Sequence, residues 1–253
     1  SQDHPAPEDG VIADFDAAEG MLREMIKMVY PKKPLFPPSW KMVICIPSSI
    51  TEVEKRAVRD SAEQAGAKEV YMIHEPMAAA LGIGIDVEEP TGNMIIDIGG
   101  GTTGISVISL GGIVCDQSVR IAGDEFTQDI IEAMRKYHSL NIGERTAEQI
   151  KIHVGAAIKD LENPPDDIFV NGRDLVTGIP KQIQVSYEEI AEALDKSIFK
   201  IEEAILKALE KTKPELAADI YRRGLYLTGG GALLRGLDRR IAQKIQLPVH
   251  IAD

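Results

Sequence analysis

The fold of this chain is decided by the stretch Asn93-Met-Ile-Ile-Asp97-Ile-Gly-Gly-Gly-Thr102-Thr103-Gly-Ile-Ser-Val-Ile-Ser109. An apolar run leads into Asp97, three glycines and two threonines follow, and a second β-prone run begins at Ile105. This order predicts a strand, a tight turn and a second strand. Glycine lets backbone N–H groups approach an anion, and successive N–H groups in such a turn form a concave site for phosphate oxygens.

The polar side chains around this turn strengthen the case for phosphate. Thr102 and Thr103 add hydroxyl donors, and Asp97 can hold the water ligands of a Mg²⁺ ion that accompanies a phosphate. The plainer alternative is a glycine-rich hairpin that happens to follow an acid. We favour phosphate binding because a strand that leads into an acid and three glycines is more specific than an isolated Gly-x-Gly-x-x-Gly.

Composition indicates a globular protein. At 253 residues, 44% hydrophobic and 27% charged, the chain can bury one large or two medium cores. A net charge of −12 argues against nucleic acid or an anionic membrane as a bulk electrostatic partner. No apolar run approaches the roughly 18 residues of a spanning helix, and no signal peptide is visible, so a cytoplasmic location is expected. Cys45 and Cys115 lie in apolar, strand-like runs, which predicts buried thiols.

The first third of the sequence predicts a helix that begins after Asp14 or Asp16 and continues to Tyr30, followed by a βαβ unit. Its strands are residues 42–47 and 70–73, and a Thr51/Glu54 capping box opens the helix between them. Parallel pairing is expected.

Glu75 follows the second of these strands directly. Strand ends are the usual place for chemistry in open α/β sheets. The alternative is a carboxylate that only stabilises a helix N-terminus.

The middle of the chain predicts a three-stranded meander over residues 93–120 and then two helices. Asp124 is expected to cap the first helix, and Thr146 with Gln149 to form the capping box of the second. Glu148 and Lys151 fall on one side of that second helix, where an ordinary ion pair is the plain interpretation.

A further hairpin and a long helix follow. Asn171-Gly172 predicts a tight turn, and Ser186 with Glu189 opens a helix that ends before Pro214. A second glycine-rich turn, Thr228-Gly-Gly-Gly-Ala232, joins a short strand to a last helix. Two such turns in one chain favour a nucleotide ligand.

Four segments of the sequence form a distinctive motif series: the Asp97 turn, Glu75-Pro-Met-Ala-Ala-Ala80, Gly143-Glu-Arg-Thr-Ala-Glu148 and Thr228-Gly-Gly-Gly-Ala-Leu-Leu-Arg-Gly236. Together they resemble the motif series of the MreB family, the bacterial actin homologues of the actin, sugar-kinase and heat-shock ATPase superfamily. The resemblance covers nearly the whole chain from about Gly10. It implies an α/β, actin-like ATPase fold of two domains, with ribonuclease H-like mixed sheets, helices on both faces and part of the fold outside this sequence.

The same resemblance implies a domain division. Residues 1–89 would be the remnant of the first large subdomain, residues 90–137 and 187–253 the second large subdomain, and residues 138–186 a small subdomain.

The resemblance also implies roles for individual residues toward ATP or GTP with Mg²⁺. Asp97 would orient the water shell of Mg²⁺, and Glu75 with Thr102 would position the attacking water. The remaining residues assigned to the nucleotide are Gly99, Gly100, Gly101, Thr102 and Thr103 for the β- and γ-phosphates, Glu148 and Lys151 for ribose and adenine, Gly229, Gly230, Gly231 and Ala232 for the α-phosphate and adenosine, and also Gly123 and Asp124.

The function implied by the resemblance is ATP-dependent polymerisation into membrane-associated filaments that organise cell-wall synthesis and rod shape. Partners would be copies of the chain itself and cell-wall elongation proteins at the inner face of the membrane, with no nucleic acid. Weak ATP hydrolysis and membrane contact are expected of the complete protein. The first phosphate hairpin of the family is not in this sequence, so the 253 residues made alone are expected to bind ATP weakly and to aggregate.

Two alternatives share the superfamily. A sugar or acetate kinase would need a catalytic base, for which Glu75 is the candidate in the sequence. A chaperone-type ATPase would need a substrate domain after the second glycine turn.

Overall fold

The computed structural model describes residues 15–29 and 40–252. The chain divides within one helix into two compact units, residues 1–78 and 79–253. The expected subdomain limits stay a prediction. Within the described residues, every helix is too short or too polar to span a membrane.

The first unit contains the predicted βαβ arrangement. Its elements are α1 (Phe15–Val29), β1 (Trp40–Ile46), α2 (Glu52–Gln64), β2 (Ala67–His74) and the start of α3 (Glu75–Gly82). β1 and β2 are parallel, which confirms the prediction. The Thr51/Glu54 capping box is present in full and fixes the start of α2. α1 begins at Phe15, so Asp16 lies inside the helix and the alternative that it caps the helix was wrong. Asp14 and Tyr30, the other proposed limits of α1, lie outside the described residues.

One face of β1 is exposed, and this overturns the expectation for one cysteine. Side chains alternate across a strand, so Val43 and Cys45 share a face. Both are exposed, whereas Cys115 in the second unit is half-buried. The prediction of a buried thiol was therefore wrong for Cys45.

The second unit contains two sheets and most of the helices. In chain order its elements are β3 (Asn93–Ile98), β4 (Thr103–Ser109), β5 (Gly112–Val119), α4 (Gly123–His138), β6 (Leu140–Asn141), α5 (Glu144–Val154), β7 (Ile168–Asp174), β8 (Pro180–Val185), α6 (Tyr187–Lys211), α7 (Pro214–Arg223), β9 (Leu225–Thr228), a 3₁₀ turn (Gly230–Leu233), α8 (Leu237–Ile245) and β10 (Val249–Ile251).

The larger sheet has the strand order β10-β9-β3-β4-β5. β3, β4 and β5 form the predicted antiparallel meander, and β9 pairs with β3 in parallel. Its apolar side chains join those of α4, α5, α6 and α8 in one buried cluster that includes Ile96, Phe126, Ile150 and Ile198. The smaller sheet has the order β6-β7-β8. The mixed larger sheet and its covering helices provide a rigid base for the loops at the strand ends.

The predicted turn at Asn171-Gly172 was wrong, because both residues lie inside β7. A Cβ at Gly172 would lie 2.7 Å from the carbonyl oxygen of Asn141, so glycine is needed where β6 approaches β7. The turn comes after Asp174, whose carboxylate accepts hydrogen bonds from the N–H groups of Val176 and Thr177. The Asn-Gly pair therefore does not form a turn here, because Gly172 allows the contact between β6 and β7.

Two predicted helix starts were also wrong. α4 begins at Gly123 after Ala122, and no side chain caps it, so Asp124 is not an N-cap. α5 begins at Glu144 after Gly143, which places Thr146 inside the helix and rules out its capping box with Gln149. The start of α6 was predicted correctly.

Candidate functional site

The two glycine turns lie side by side. Asp97 in β3 pairs with Thr228 in β9, and each residue leads directly into its turn. Gly229 has a φ of +83°, and a Cβ there would collide with the carboxylate of Asp97. A Cβ at Gly231 would collide with the side chain of Ile98. Glycine is therefore required for the second turn to pack directly against the end of β3.

Backbone hydrogen bonds hold the first turn against α4. The N–H of Gly99 donates to the carbonyl of Thr102 at 3.0 Å. The N–H groups of Gly123 and Asp124, at the start of α4, donate to the carbonyls of Gly99 at 3.0 Å and Gly100 at 2.8 Å. These bonds use helix-terminal N–H groups that otherwise need a cap. They explain why α4 begins without a capping side chain.

The first turn offers N–H groups to a ligand. Among the hydrogen bonds of residues 15–29 and 40–252, none uses the N–H of Gly100 or Gly101. Both residues are exposed. Successive N–H groups in a turn of this kind are typical of anion sites.

Lys151 joins α5 to α4, so that α5 forms one wall of the site. Its Nζ donates to the carbonyl of Gly123 at 2.8 Å and to Thr127 Oγ1 at 3.0 Å. It also lies 2.7 Å from Glu148 Oε2, which confirms the ion pair inferred from their spacing. Burial acts to raise the pKa of Glu148, but hydrogen bonds from Lys151 and Thr127 together with the charge of Lys151 lower it overall. The carboxylate of Glu148 is therefore kept ionised.

A cavity of about 670 Å³ lies between these elements, which is the size of a small-molecule site. Eight of the residues predicted for the nucleotide line it: Gly99, Gly100, Gly123, Asp124, Glu148, Lys151, Gly230 and Gly231. Its other lining residues, which sequence reasoning missed, are Phe126, Ile152, Leu233, Leu234 and Arg235. Ile152 and Leu233 are 61% and 73% exposed, so they offer apolar surface at the cavity.

The other predicted residues lie outside the cavity lining. Thr103 is fully buried and its hydroxyl donates to the carbonyl of Ile121 at 2.7 Å, while Ala232 is buried. Gly101, Thr102 and Gly229 belong to the two turns and are exposed. Glu75 is the exposed first residue of α3 and belongs to the first compact unit. The catalytic roles of Glu75 and Thr102 stay predictions.

Asp97 has the chemistry of a residue that binds a hydrated cation. It is half-buried at the end of β3, and burial raises the pKa of its carboxyl. Within the described part of the chain its carboxylate accepts no hydrogen bond. Mg²⁺ in nucleotide sites is typically held by one or two carboxylates, waters and phosphates. Asp97 therefore fits Mg²⁺ held through water.

Adjacent glycine turns on a mixed sheet, an acid before the first turn and a cavity bounded by helices define an actin-like ATPase fold. A family model described as MreB/Mbl protein matches residues 5–253, and the chain belongs to this family.

Curated relatives agree with this assignment. The chain is 46% identical over 245 residues to the cell shape-determining protein Mbl of Bacillus subtilis (strain 168), which covers 97% of this chain and 72% of that protein. It is 48% identical over 245 residues to the cell shape-determining protein MreB of Escherichia coli (strain K12), with 97% and 70% covered.

Solved structures share the fold. MreB5 of Spiroplasma citri bound to ADP has a TM-score of 0.89 and 39% identity, covering 98% of this chain and 73% of that one. A MamK double helical filament has a TM-score of 0.77 at 23% identity, covering 98% and 75%. The MamK comparison supports the fold alone.

Proposed function

We propose that the cavity binds ATP or GTP with Mg²⁺, and that nucleotide binding controls assembly of the protein into filaments. The observation that carries this proposal is the pair of N–H groups at Gly100 and Gly101, which donate to no partner within the described residues. Gly100 lines the cavity, and Gly101 follows it in the same turn. The structure of MreB5 bound to AMPPNP, at 39% identity and a TM-score of 0.89, supports a nucleotide in this family.

The residues of the cavity suit the parts of a nucleotide. The first turn would bind the β- and γ-phosphates through N–H groups, and Gly230 and Gly231 would lie beside the α-phosphate. Glu148 and Lys151 would face ribose and base, with Ile152 and Leu233 providing apolar contact for the base. Asp97 would hold Mg²⁺ through water, and the ion would neutralise phosphate charge.

For hydrolysis we propose the roles implied by the family. Glu75 with Thr102 would orient the attacking water, as a residue at a strand end is suited to do. Turnover would be slow and would limit the lifetime of filaments.

At the level of the cell, we propose a role in rod shape. The named relatives Mbl and MreB are cell shape-determining proteins, which supports this role. Filaments would consist of copies of the chain and would lie in the cytoplasm against the inner face of the membrane, where they organise cell-wall elongation proteins. We also propose the subdomain limits 1–89, 90–137 with 187–253, and 138–186.

Calorimetric titration with Mg-ATP tests the nucleotide site, using the protein expressed from its complete reading frame. Gly100→Val should abolish binding at micromolar ligand, because the side chain would fill the space beside the free N–H groups. The fold has room for the first added carbon, since a Cβ at Gly100 would lie no closer than 3.5 Å to Asp124.

Gly104→Val is the matched control, because Gly104 lies in β4 outside the cavity and a Cβ there meets nothing within 4 Å. It should bind Mg-ATP like the wild type. Equal binding by both variants would contradict the proposed site.

A further inference from the structure

The side chain of Arg235 connects two walls of the cavity, one made by α5 and the other by the second glycine turn. Its Nη1 lies 3.2 Å from the carbonyl oxygen of Ile152 and 3.3 Å from that of Gly155. Both carbonyls are at the C-terminal end of α5, where the last carbonyls of a helix have no partner within the helix. A cation is favourable at this end because of the helix dipole. The guanidinium therefore caps the helix that carries Glu148 and Lys151.

The backbone of Arg235 also contacts the residues that directly follow α5. The N–H of Ala157 donates to the carbonyl of Arg235 at 2.8 Å, and Ala156 forms a parallel β-bridge with Arg235. A Cβ at Gly155 would lie 3.0 Å from Leu234 Cδ1, which leaves no space between the two segments. The end of α5 is thus fixed to the residues that directly follow the 3₁₀ turn.

We propose that Arg235 is a positioning residue of the nucleotide site. It sets the separation between the wall made by α5 and the wall made by the second glycine turn, and it lines the same cavity. This role rests on the proposed function, because it concerns the same ligand. Loss of the guanidinium leaves the end of α5 held by these backbone contacts and by Leu234 alone, so that Glu148, Lys151 and Ile152 face the turn in a less fixed geometry.

The neighbouring Arg239 provides a matched control. Its guanidinium makes a similar connection, from Nη1 to the carbonyl of Asp160 at 3.1 Å and from Nη2 to the carboxylate of Asp160 at 3.3 Å. Arg239 is not among the residues that line the cavity. Comparing the two arginines separates positioning of the site from general attachment of this segment.

The test measures dissociation constants for Mg-ADP and Mg-ATP and thermal unfolding without nucleotide, on the protein expressed from its complete reading frame. Arg235→Ala should weaken both nucleotides by the same factor, about tenfold to hundredfold, the scale of a small misplacement of binding groups. Arg239→Ala should leave both dissociation constants unchanged. Arg235→Lys should restore part of the affinity, since an ammonium can still donate to these carbonyls.

Three results would overturn the role of Arg235: wild-type affinity in Arg235→Ala, the same loss in Arg239→Ala, or a loss confined to Mg-ATP. The last would make Arg235 a direct ligand of the γ-phosphate. If Arg235→Ala does not fold, Arg235→Gln takes its place, with the same expected direction. A wild-type protein that binds neither nucleotide would contradict the proposed function itself, and is thereby distinguished from failure of Arg235 alone.

Discussion

Asp97 and Thr228 are paired on adjacent parallel strands, so the two glycine turns leave the sheet at the same edge. Residues about 130 positions apart in the sequence are brought together by a single strand pairing. The carboxylate of Asp97 also lies directly against Gly229. The geometry of the first turn therefore depends on the second.

Asp97→Asn should weaken Mg²⁺-dependent nucleotide binding by about 1–3 kcal/mol, the scale for losing a charged hydrogen-bonding group. The same substitution should stabilise the protein without ligand at neutral pH, because it removes an ionised group that burial disfavours. Titrations with and without Mg²⁺ and thermal unfolding measure the two effects. Equal ATP affinity for both forms in both conditions would remove Asp97 from the site.

The stabilisation by Asp97→Asn should depend on pH in a defined direction. The folded-state pKa of Asp97 lies above its unfolded value, so its protonation favours the folded state at low pH. That contribution is lost as pH rises through the folded-state pKa. The difference in melting temperature between Asp97→Asn and the wild type should therefore grow from about pH 4 to about pH 7. A difference that shrinks over this interval would show that the folded protein favours the carboxylate.

Glu75→Ala should lower ATP turnover by about 10²–10⁴-fold and leave nucleotide affinity nearly unchanged, if Glu75 orients the attacking water. Filaments should persist longer because hydrolysis is slower. Glu63→Ala, at an exposed position of α2, is the control and should keep wild-type turnover. A large loss of affinity at normal turnover would support the alternative in which Glu75 only stabilises the start of α3.

Lys151→Met should lower the free energy of unfolding by about 1–3 kcal/mol and weaken nucleotide binding. The lysine side chain is only 16% exposed and joins α5 to α4 through Gly123 and Thr127. Lys159→Met removes the exposed ion pair with Glu192 and should change stability far less, because solvent screens both charges. Urea unfolding measures the free energy of unfolding of both variants. Equal losses would mean that the hydrogen bonds of Lys151 stabilise the protein no more than an exposed ion pair does.

Gly229→Ala should destabilise the protein more than Gly178→Ala. Both glycines have positive φ, +83° and +75°, so a side chain strains the backbone at both positions, by about 1–3 kcal/mol. A Cβ at Gly229 would also collide with Asp97, whereas one at Gly178 meets nothing within 4 Å. Overpacking should add about 1–3 kcal/mol at Gly229. Equal unfolding free energies for the two variants would show that the turns are not in close contact.

Much of the fold could be predicted from local sequence. Thr51 with Glu54 and Ser186 with Glu189 begin helices as predicted, because each hydroxyl accepts a hydrogen bond from a backbone N–H three residues later. The meander and the parallel pair also follow from apolar runs and their spacing. The short strand β6 and the helix α7 were not predicted.

Two errors arose where a contact between residues distant in the sequence replaced a local one, and a third arose from local helix propensity. The first N–H groups of α4 are bound by carbonyls of Gly99 and Gly100, so Asp124 is not needed as a cap. Gly172 allows close approach of Asn141, which no local pattern indicates. Thr146 fits a capping box by spacing, but Gly143 starts the helix earlier because Glu144 and Arg145 are good helix formers.

Some residues of the candidate site could be predicted from the sequence and others could not. The glycine turns and the Glu148/Lys151 pair could be predicted because glycine runs and i,i+3 charges carry a chemical signal. Ile152, Leu233 and Arg235 could not, since apolar residues and a single arginine are common in any helix or turn. Only their position around the cavity identifies them.

The most direct test of the central claim is a crystal structure of the protein, expressed from its complete reading frame, with Mg²⁺ and AMPPNP. We expect β- or γ-phosphate oxygens within hydrogen-bond distance of the N–H groups of Gly100 and Gly101, and the base beside Ile152 and Leu233. Phosphates bound elsewhere, or a first glycine turn that contacts no phosphate, would contradict this account.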